Sequence, residues 1–210
     1  MSLDARSTIS FGYPAKKAEV EIVSPITAEM AATIDREWRP LLEQVGTQDA
    51  EWVWSDIVNE CSGAQFASFA MINGGRIEGV LVLERDRRML GTLAVGATMH
   101  YLATAPWNRL KDDGTPLFPE IPRARPVGAV LLARALMFSQ DEGFEGRLGW
   151  ESLDGALTWY RDQFAGLPPL SEFGRDLSDE NLLSFETDLK ASQAFLDQFR
   201  REGAALLRRC

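Results

Sequence analysis

The sequence predicts one α/β domain: a mixed, mostly antiparallel central sheet flanked by helices, with a C-terminal helix closing the chain. Three observations predict it. Short strand-like runs alternate with segments of helical periodicity. Two of those runs, Phe66 to Ile72 and Ile77 to Leu83, flank Asn73-Gly74-Gly75, a strong hairpin signal. From Met99 to Gly166 the order is apolar strand, turn, basic loop opening a helix, second strand, and a helix with an aromatic pair. The length of 210 residues suits one domain with a sizeable core.

Taken in order, residues 1–17 are polar and turn-rich and are expected to form a loose arm, leaving 18–210 as the domain. Val20 to Val23 alternates and opens the sheet. Thr27 caps a helix from Ala28 to about Gly46, with Met30, Ile34, Trp38 and Leu41 on one face. A second helix over Glu51 to Cys61 turns Trp54, Ile57 and Val58 inward. After the hairpin, Leu93 to Ala105 is a long further strand. Trp107 to Pro122 is a proline-rich loop, a length that in a compact domain is usually functional or mobile. Val127 to Glu142 is a helix with Val127, Val130, Leu131, Ala135 and Phe138 as its stripe, stopped by Gly143. Leu148 to Glu151 is a short strand and Gly155 to Phe164 a helix. Leu182 to Glu186 closes the sheet, and Asp188 caps a terminal helix to about Leu207.

Composition narrows the function classes. Acidic residues outnumber basic ones 31 to 22, a net charge of −9, which argues against broad nucleic-acid binding and suits a cationic partner as well as plain solubility. No apolar run reaches the ~20 residues of a membrane span, and the N-terminus lacks a signal-peptide core, so a cytoplasmic protein is expected. Cys61 and Cys210 make neither a disulfide framework nor a metal spacing, and one histidine leaves no zinc site, so no metal is expected.

The chemistry concentrates in the second half. Arg123 and Arg125 precede Pro126 and the helix start Val127-Gly128-Ala129, whose N–H groups face forward. Arginines beside a helix N-terminus form an anion site, and pyrophosphate is its usual ligand. Gly128 allows close backbone approach. Leu102-x-Thr104-x-Pro106, then Arg123-x-x-Pro126-x-Gly128-x-x-Leu131-Leu132, then Ala156-x-x-Trp159-Tyr160-Arg161 resemble, in that order, the fourth strand, the pyrophosphate loop and the following tyrosine helix of the GNAT N-acetyltransferase superfamily. The run Ala103 to Arg109 looks like a little-characterised bacterial branch of it.

The resemblance implies that backbone of Leu102, Ala103 and Thr104 holds the pantetheine arm of acetyl-coenzyme A, and that Arg123, Arg125, Val127, Gly128 and Ala129 hold its pyrophosphate. It implies Tyr160 as the acid that protonates the leaving thiolate, and a small-molecule or peptide amine as acceptor, with no nucleic acid and no membrane partner. For the base, His100 shares a strand face with Leu102 and is the side chain whose charge changes near neutral pH. Glu84 and Glu151 are the acidic alternatives, and Glu84, Asn108 and Arg109 are candidate acceptor contacts. Neither cysteine lies in the resembling segments, so direct attack without a covalent enzyme intermediate is expected. The C-terminal helix has two places to pack, the sheet or a second subunit in a homodimer.

Three departures support another reading, a non-catalytic acyl-coenzyme A binding or interaction module. Pro126 replaces a loop glycine and lacks an N–H. Leu153 stands where the family has asparagine. No carboxylate stands on the strand-four stretch, where Thr98, His100 and Leu102 share a face and some family members keep one. A third reading, an acidic interaction protein, rests on charge alone.

Overall fold

The computed structural model describes residues 5–13, 16–89, 93–111, 113–124, 126–164 and 183–208. Seven strands are hydrogen-bonded in chain order: β1 (Ala5–Tyr13), β2 (Lys16–Ser24), β3 (Phe66–Asn73), β4 (Arg76–Arg88), β5 (Val95–Thr104), β6 (Leu148–Ser152) and β7 (Leu183–Thr187). β1 with β2, β2 with β3 and β6 with β7 are antiparallel, and β5 with β6 is parallel, so the sheet is mixed as expected. Six α-helices are described: α1 (Ala28–Glu37), α2 (Arg39–Val45), α3 (Trp54–Glu60), α4 (Val127–Asp141), α5 (Asp154–Gln163) and α6 (Leu189–Arg208). None is long and apolar enough to cross a membrane.

The chain divides into two compact units. Unit 1 is Met1–Val82 with Tyr101–Leu131, and unit 2 is Leu83–His100 with Leu132–Cys210. In unit 1, Ala31, Ile34 and Trp38 bury against Trp54 and Ile57 of α3 and against Ala70, Val80 and Ala103 of the strands. The expected single helix from Ala28 is two. Pro40 lacks an N–H and its ring would strike the carbonyl of Arg36 in a continuous helix. The chain therefore stops at Glu37 and restarts through Trp38, which bonds Ile34 O at 2.8 Å and accepts from Leu42 N at 2.9 Å. Asp35 caps α3 from 19 residues away, accepting from Trp54 N at 2.6 Å. A Cβ at Gly79 would lie 2.5 Å from Val127 Cγ1 and 2.8 Å from Leu131 Cδ1, so this glycine lets the start of α4 pack tightly on β4.

In unit 2, Trp150 and Phe185 are register partners on β6 and β7 and stack at 5.3 Å. Phe164 and Phe195 extend the aromatic cluster. Asp188 caps α6 as expected, accepting from Ala191 N at 2.7 Å. One further departure lies at the N-terminus: residues 5–13, expected as a loose arm, form β1 and pair along their whole length with β2. Ile9, Phe11 and Tyr13 alternate with polar residues there, the period of a strand.

Candidate active site

In unit 2, two residues singled out separately in the sequence meet. His100 Nε2 lies 2.7 Å from Glu84 Oε2, with the imidazole about one-third exposed and the carboxylate 17% exposed. Arg87 Nε approaches the same oxygen at 3.2 Å. His100 ends the part of β5 that belongs to unit 2, just past the last pair with β6, Met99↔Trp150. A carboxylate hydrogen-bonded to a histidine holds the ring in one orientation, as a third group does for a general base. Glu151, the other acidic candidate, is exposed on β6.

Tyr160 lies on α5 with 6% of its surface exposed, packed against Trp150 at 5.3 Å and against Trp159 at 4.8 Å. Burial pushes its phenol above the ordinary tyrosine value, so the group keeps its proton across the neutral range.

Unit 1 holds the coenzyme-related candidates. Ala105 N donates to Glu78 O at 2.9 Å, which turns the Ala105 backbone toward β4. By strand alternation Ala103 does the same, and its carbonyl indeed sits against Gly79. Thr104, between these two, turns its N–H and C=O groups to the opposite side. Arg109 claims one of these, donating from Nε and Nη2 to Thr104 O at 3.1 and 3.0 Å. Its Nη1 and Nη2 also clamp Asp49 at 2.9 and 2.5 Å. Burial raises the Asp49 carboxyl, but hydrogen bonding and charge from Arg109 outweigh it and hold the group below the usual carboxylate range.

The loop before α4 is tied to the same unit. Arg123 Nη2 donates to Asn108 O at 2.6 Å, and Ala124 N donates to Asn108 Oδ1 at 2.8 Å. α4 begins at Val127, and Pro126 precedes it with its carbonyl accepting from Val130 N at 3.1 Å. Val127, Gly128 and Ala129 thus occupy the first turn, whose N–H groups have no carbonyl four residues back within the helix. Arg125 lies outside the described residues.

Sequence reasoning missed Glu78. It is fully buried, and its carboxylate accepts from Arg76 Nη2 at 2.8 Å, Trp107 Nε1 at 2.8 Å and Asn108 Nδ2 at 2.7 Å. Arg76 also stacks over the Trp107 ring at 4.7 Å. The signal was present: one carboxylate interrupts an otherwise apolar run from Ile77 to Leu83. Among the described residues no group of His, Cys, Asp and Glu could hold a metal ion.

No family model matches the sequence, and no curated protein matches it. Solved structures do. A GNAT-family protein from Desulfovibrio desulfuricans matches with a TM-score of 0.50 at 13% identity, covering 81% of this chain and 99% of its own. RimJ from Mycobacterium smegmatis, solved with coenzyme A disulfide, also matches with a TM-score of 0.50 at 13% identity, covering 94% and 96%. This chain has the GNAT fold. Within the GNAT fold of this chain, Leu102-x-Thr104-x-Pro106 ends β5, the Arg123 to Gly128 segment opens α4, and Tyr160 lies on the helix after β6.

Proposed function

We propose that the protein is an acetyl-coenzyme A-dependent N-acetyltransferase acting on a primary amine of a small molecule or peptide. The observation that carries catalysis, beyond binding, is the 2.7 Å pair of His100 and Glu84. His100 takes the surplus proton of the attacking amine, directly or through water, and Glu84 holds the ring in orientation. Tyr160 gives its phenolic proton to sulfur as the C–S bond breaks and the C–N bond forms. Coenzyme supplies the acetyl thioester. Leu102 and Thr104 offer backbone groups to the pantetheine amides, while Val127, Gly128 and Ala129 offer N–H groups to the pyrophosphate, with Arg123 and Arg125 adding positive charge. Asn108 and Arg109 have their side-chain donors committed within unit 1, so we assign them to holding β5 and the loop rather than to the acceptor.

The fold of RimJ, seen with a coenzyme A disulfide, supports the coenzyme part of this reading. A binding module without turnover is the competing reading, and Pro126 favours it by removing one N–H from the loop. Thiol release from acetyl-coenzyme A, measured across a broad amine panel, separates the two. Turnover that falls about 10²-fold in Tyr160→Phe, with coenzyme affinity unchanged, is the expected result. Coenzyme binding with no acetylation of any amine overturns the enzyme reading.

A further inference from the structure

Glu78 has no part in the proposed chemistry, yet its carboxylate is bonded by three side chains of unit 1, Arg76, Trp107 and Asn108. A fully buried carboxylate costs folding energy unless donors surround it. Here the donors do more than satisfy it. Asn108 turns its amide nitrogen to Glu78, bonding Oε2 at 2.7 Å and the backbone oxygen at 3.1 Å. That choice leaves Asn108 Oδ1 pointing the other way, where it accepts from Ala124 N at 2.8 Å. The Asn108 carbonyl takes Arg123 Nη2 at 2.6 Å. A flipped amide would set Oδ1 against the Glu78 carboxylate and an N–H against the Ala124 N–H, so the charge on Glu78 dictates the orientation.

We propose that Glu78 is a positioning residue for the coenzyme loop: acting through the Asn108 amide, it fixes Arg123 and Ala124 and so presets the chain that enters the first turn of α4. This rests on the coenzyme reading given above. Glu78 touches neither coenzyme nor acceptor in this scheme. Its effect is to keep the loop in the binding arrangement before coenzyme arrives, so that ordering is not subtracted from affinity.

The test uses the full chain with Glu78→Gln, Asn108→Asp and the double variant, probed with coenzyme A itself. Calorimetric affinity, the KM values for acetyl-coenzyme A and acceptor, and amide hydrogen exchange over residues 121–131 of the free protein are measured. Each single variant loses the directional pair: the first weakens the acceptor for the Asn108 amide, the second sets two carboxylates together. Each is expected to weaken coenzyme A about tenfold, the equivalent of one charged hydrogen bond, and to speed exchange in the loop, with acceptor KM unchanged. In the double variant the introduced amide at position 78 donates to the introduced carboxylate at position 108, whose other oxygen accepts from Ala124 N. Affinity and exchange should return to within about threefold of the parent, while the melting temperature stays lower because Trp107 Nε1 loses its acceptor and the backbone oxygen of position 78 loses its donor from position 108.

Restored affinity without restored stability is the signature of positioning. A double variant no better than the worse single one overturns the proposal, as do single variants that speed exchange but bind coenzyme A normally. Should a single variant not fold, Asn108→Ser removes the adaptor while leaving Glu78 with Arg76 and Trp107, and unchanged coenzyme affinity there also overturns it. A parent protein that binds no coenzyme A instead removes the coenzyme reading on which the proposal depends.

Discussion

Two glutamates six positions apart on β4, Glu78 and Glu84, are treated in opposite ways by the residues around them. Glu78 is fully buried and spends its carboxylate on Arg76, Trp107 and Asn108, all within unit 1. Glu84 keeps 17% of its side chain exposed and shares one oxygen between His100 and Arg87, both in unit 2. The same functional group is closed in by three fixed donors in the first setting and partly open beside a histidine in the second. What separates them is access and the kind of donor. Arg, Trp and Asn donors do not titrate near neutral pH, whereas histidine does.

The largest expected difference between the two is in stability. Glu78→Ala leaves the buried Trp107 N–H without its acceptor, the Asn108 amide with only the backbone oxygen of position 78, and the Arg76 guanidinium without its carboxylate, so it should cost on the order of 3–5 kcal/mol. For a chain of this size that lowers the melting temperature by about 10 °C. Glu84→Ala should change stability by about 1 kcal/mol or less, since His100 and Arg87 both keep access to solvent. Thermal unfolding of both variants checks this. Equal losses would mean that Glu84 is as structural as Glu78.

Asp49 and Arg109 sharpen the contrast, because they form a second closed pair whose charge state responds to pH. Arg109→Met removes the guanidinium but leaves a carboxylate only 8% exposed, an uncompensated charge worth about 3 kcal/mol at neutral pH. The sign follows from the depressed folded pKa of Asp49. Stability from this group is present above the unfolded value of ~3.9 and is lost as pH falls through the folded value. In the variant, burial is opposed only by the smaller hydrogen-bond contributions that remain, so the carboxyl rises relative to the parent and protonation relieves it. Urea unfolding should therefore show a parent-to-variant gap that is widest at neutral pH and narrows toward pH ~4. A gap independent of pH would place the loss in packing and not in the ion pair.

Glu84→Gln reverses the pattern set by Glu78. It keeps the shape and a hydrogen-bonding oxygen but withdraws the negative charge beside His100. The rate of acetyl transfer should fall by about 10²-fold, with coenzyme affinity and melting temperature close to the parent. His100→Gln should match it, and the two together should be no slower than either alone, since they act as one unit. Additive losses would mean that the residues act separately.

Much of the fold was legible along the chain. The Asn73-Gly74-Gly75 turn, the Asp188 cap and the start of α4 at Val127 all follow from local chemistry, and each is where the structure has it. Pro40 announced the break at Trp38, a local signal overridden in expectation by the apolar stripe running through it. The alternation of Ile9, Phe11 and Tyr13 was masked by polar neighbours. At the candidate site the sequence singled out His100, Glu84, Asn108 and Arg109 one by one, but not their pairings, and it passed over Glu78 and Asp49. Glu84 and His100 lie 16 positions apart, Glu78 and Asn108 30, and Asp49 and Arg109 60. Which side chains oppose one another depends on strand register and on the path of the proline-rich loop, and no local pattern encodes either.

Pro126 is where the smallest effect tests the boundary between anchor and binding group. It is exposed, precedes the first residue of α4, and lends its carbonyl to Val130 N at 3.1 Å. Two physical roles make opposite claims on Pro126→Gly. If the position needs an N–H for phosphate, glycine supplies one, and coenzyme affinity rises by about one hydrogen bond, roughly 1 kcal/mol or fivefold. If proline serves to pre-set the backbone before the helix, glycine widens the unfolded ensemble and lowers stability by about 0.5–1 kcal/mol with affinity unchanged. The carbonyl bond to Val130 shows that position 126 already serves as the helix N-cap through its oxygen, a role that glycine also fills, and the turn that follows carries the N–H groups of Val127, Gly128 and Ala129. The second outcome is therefore expected: a small fall in melting temperature and no gain in coenzyme A binding by calorimetry. A fivefold tighter complex would instead add position 126 to the phosphate cradle, and would make the parent's proline a deliberate weakening of the site.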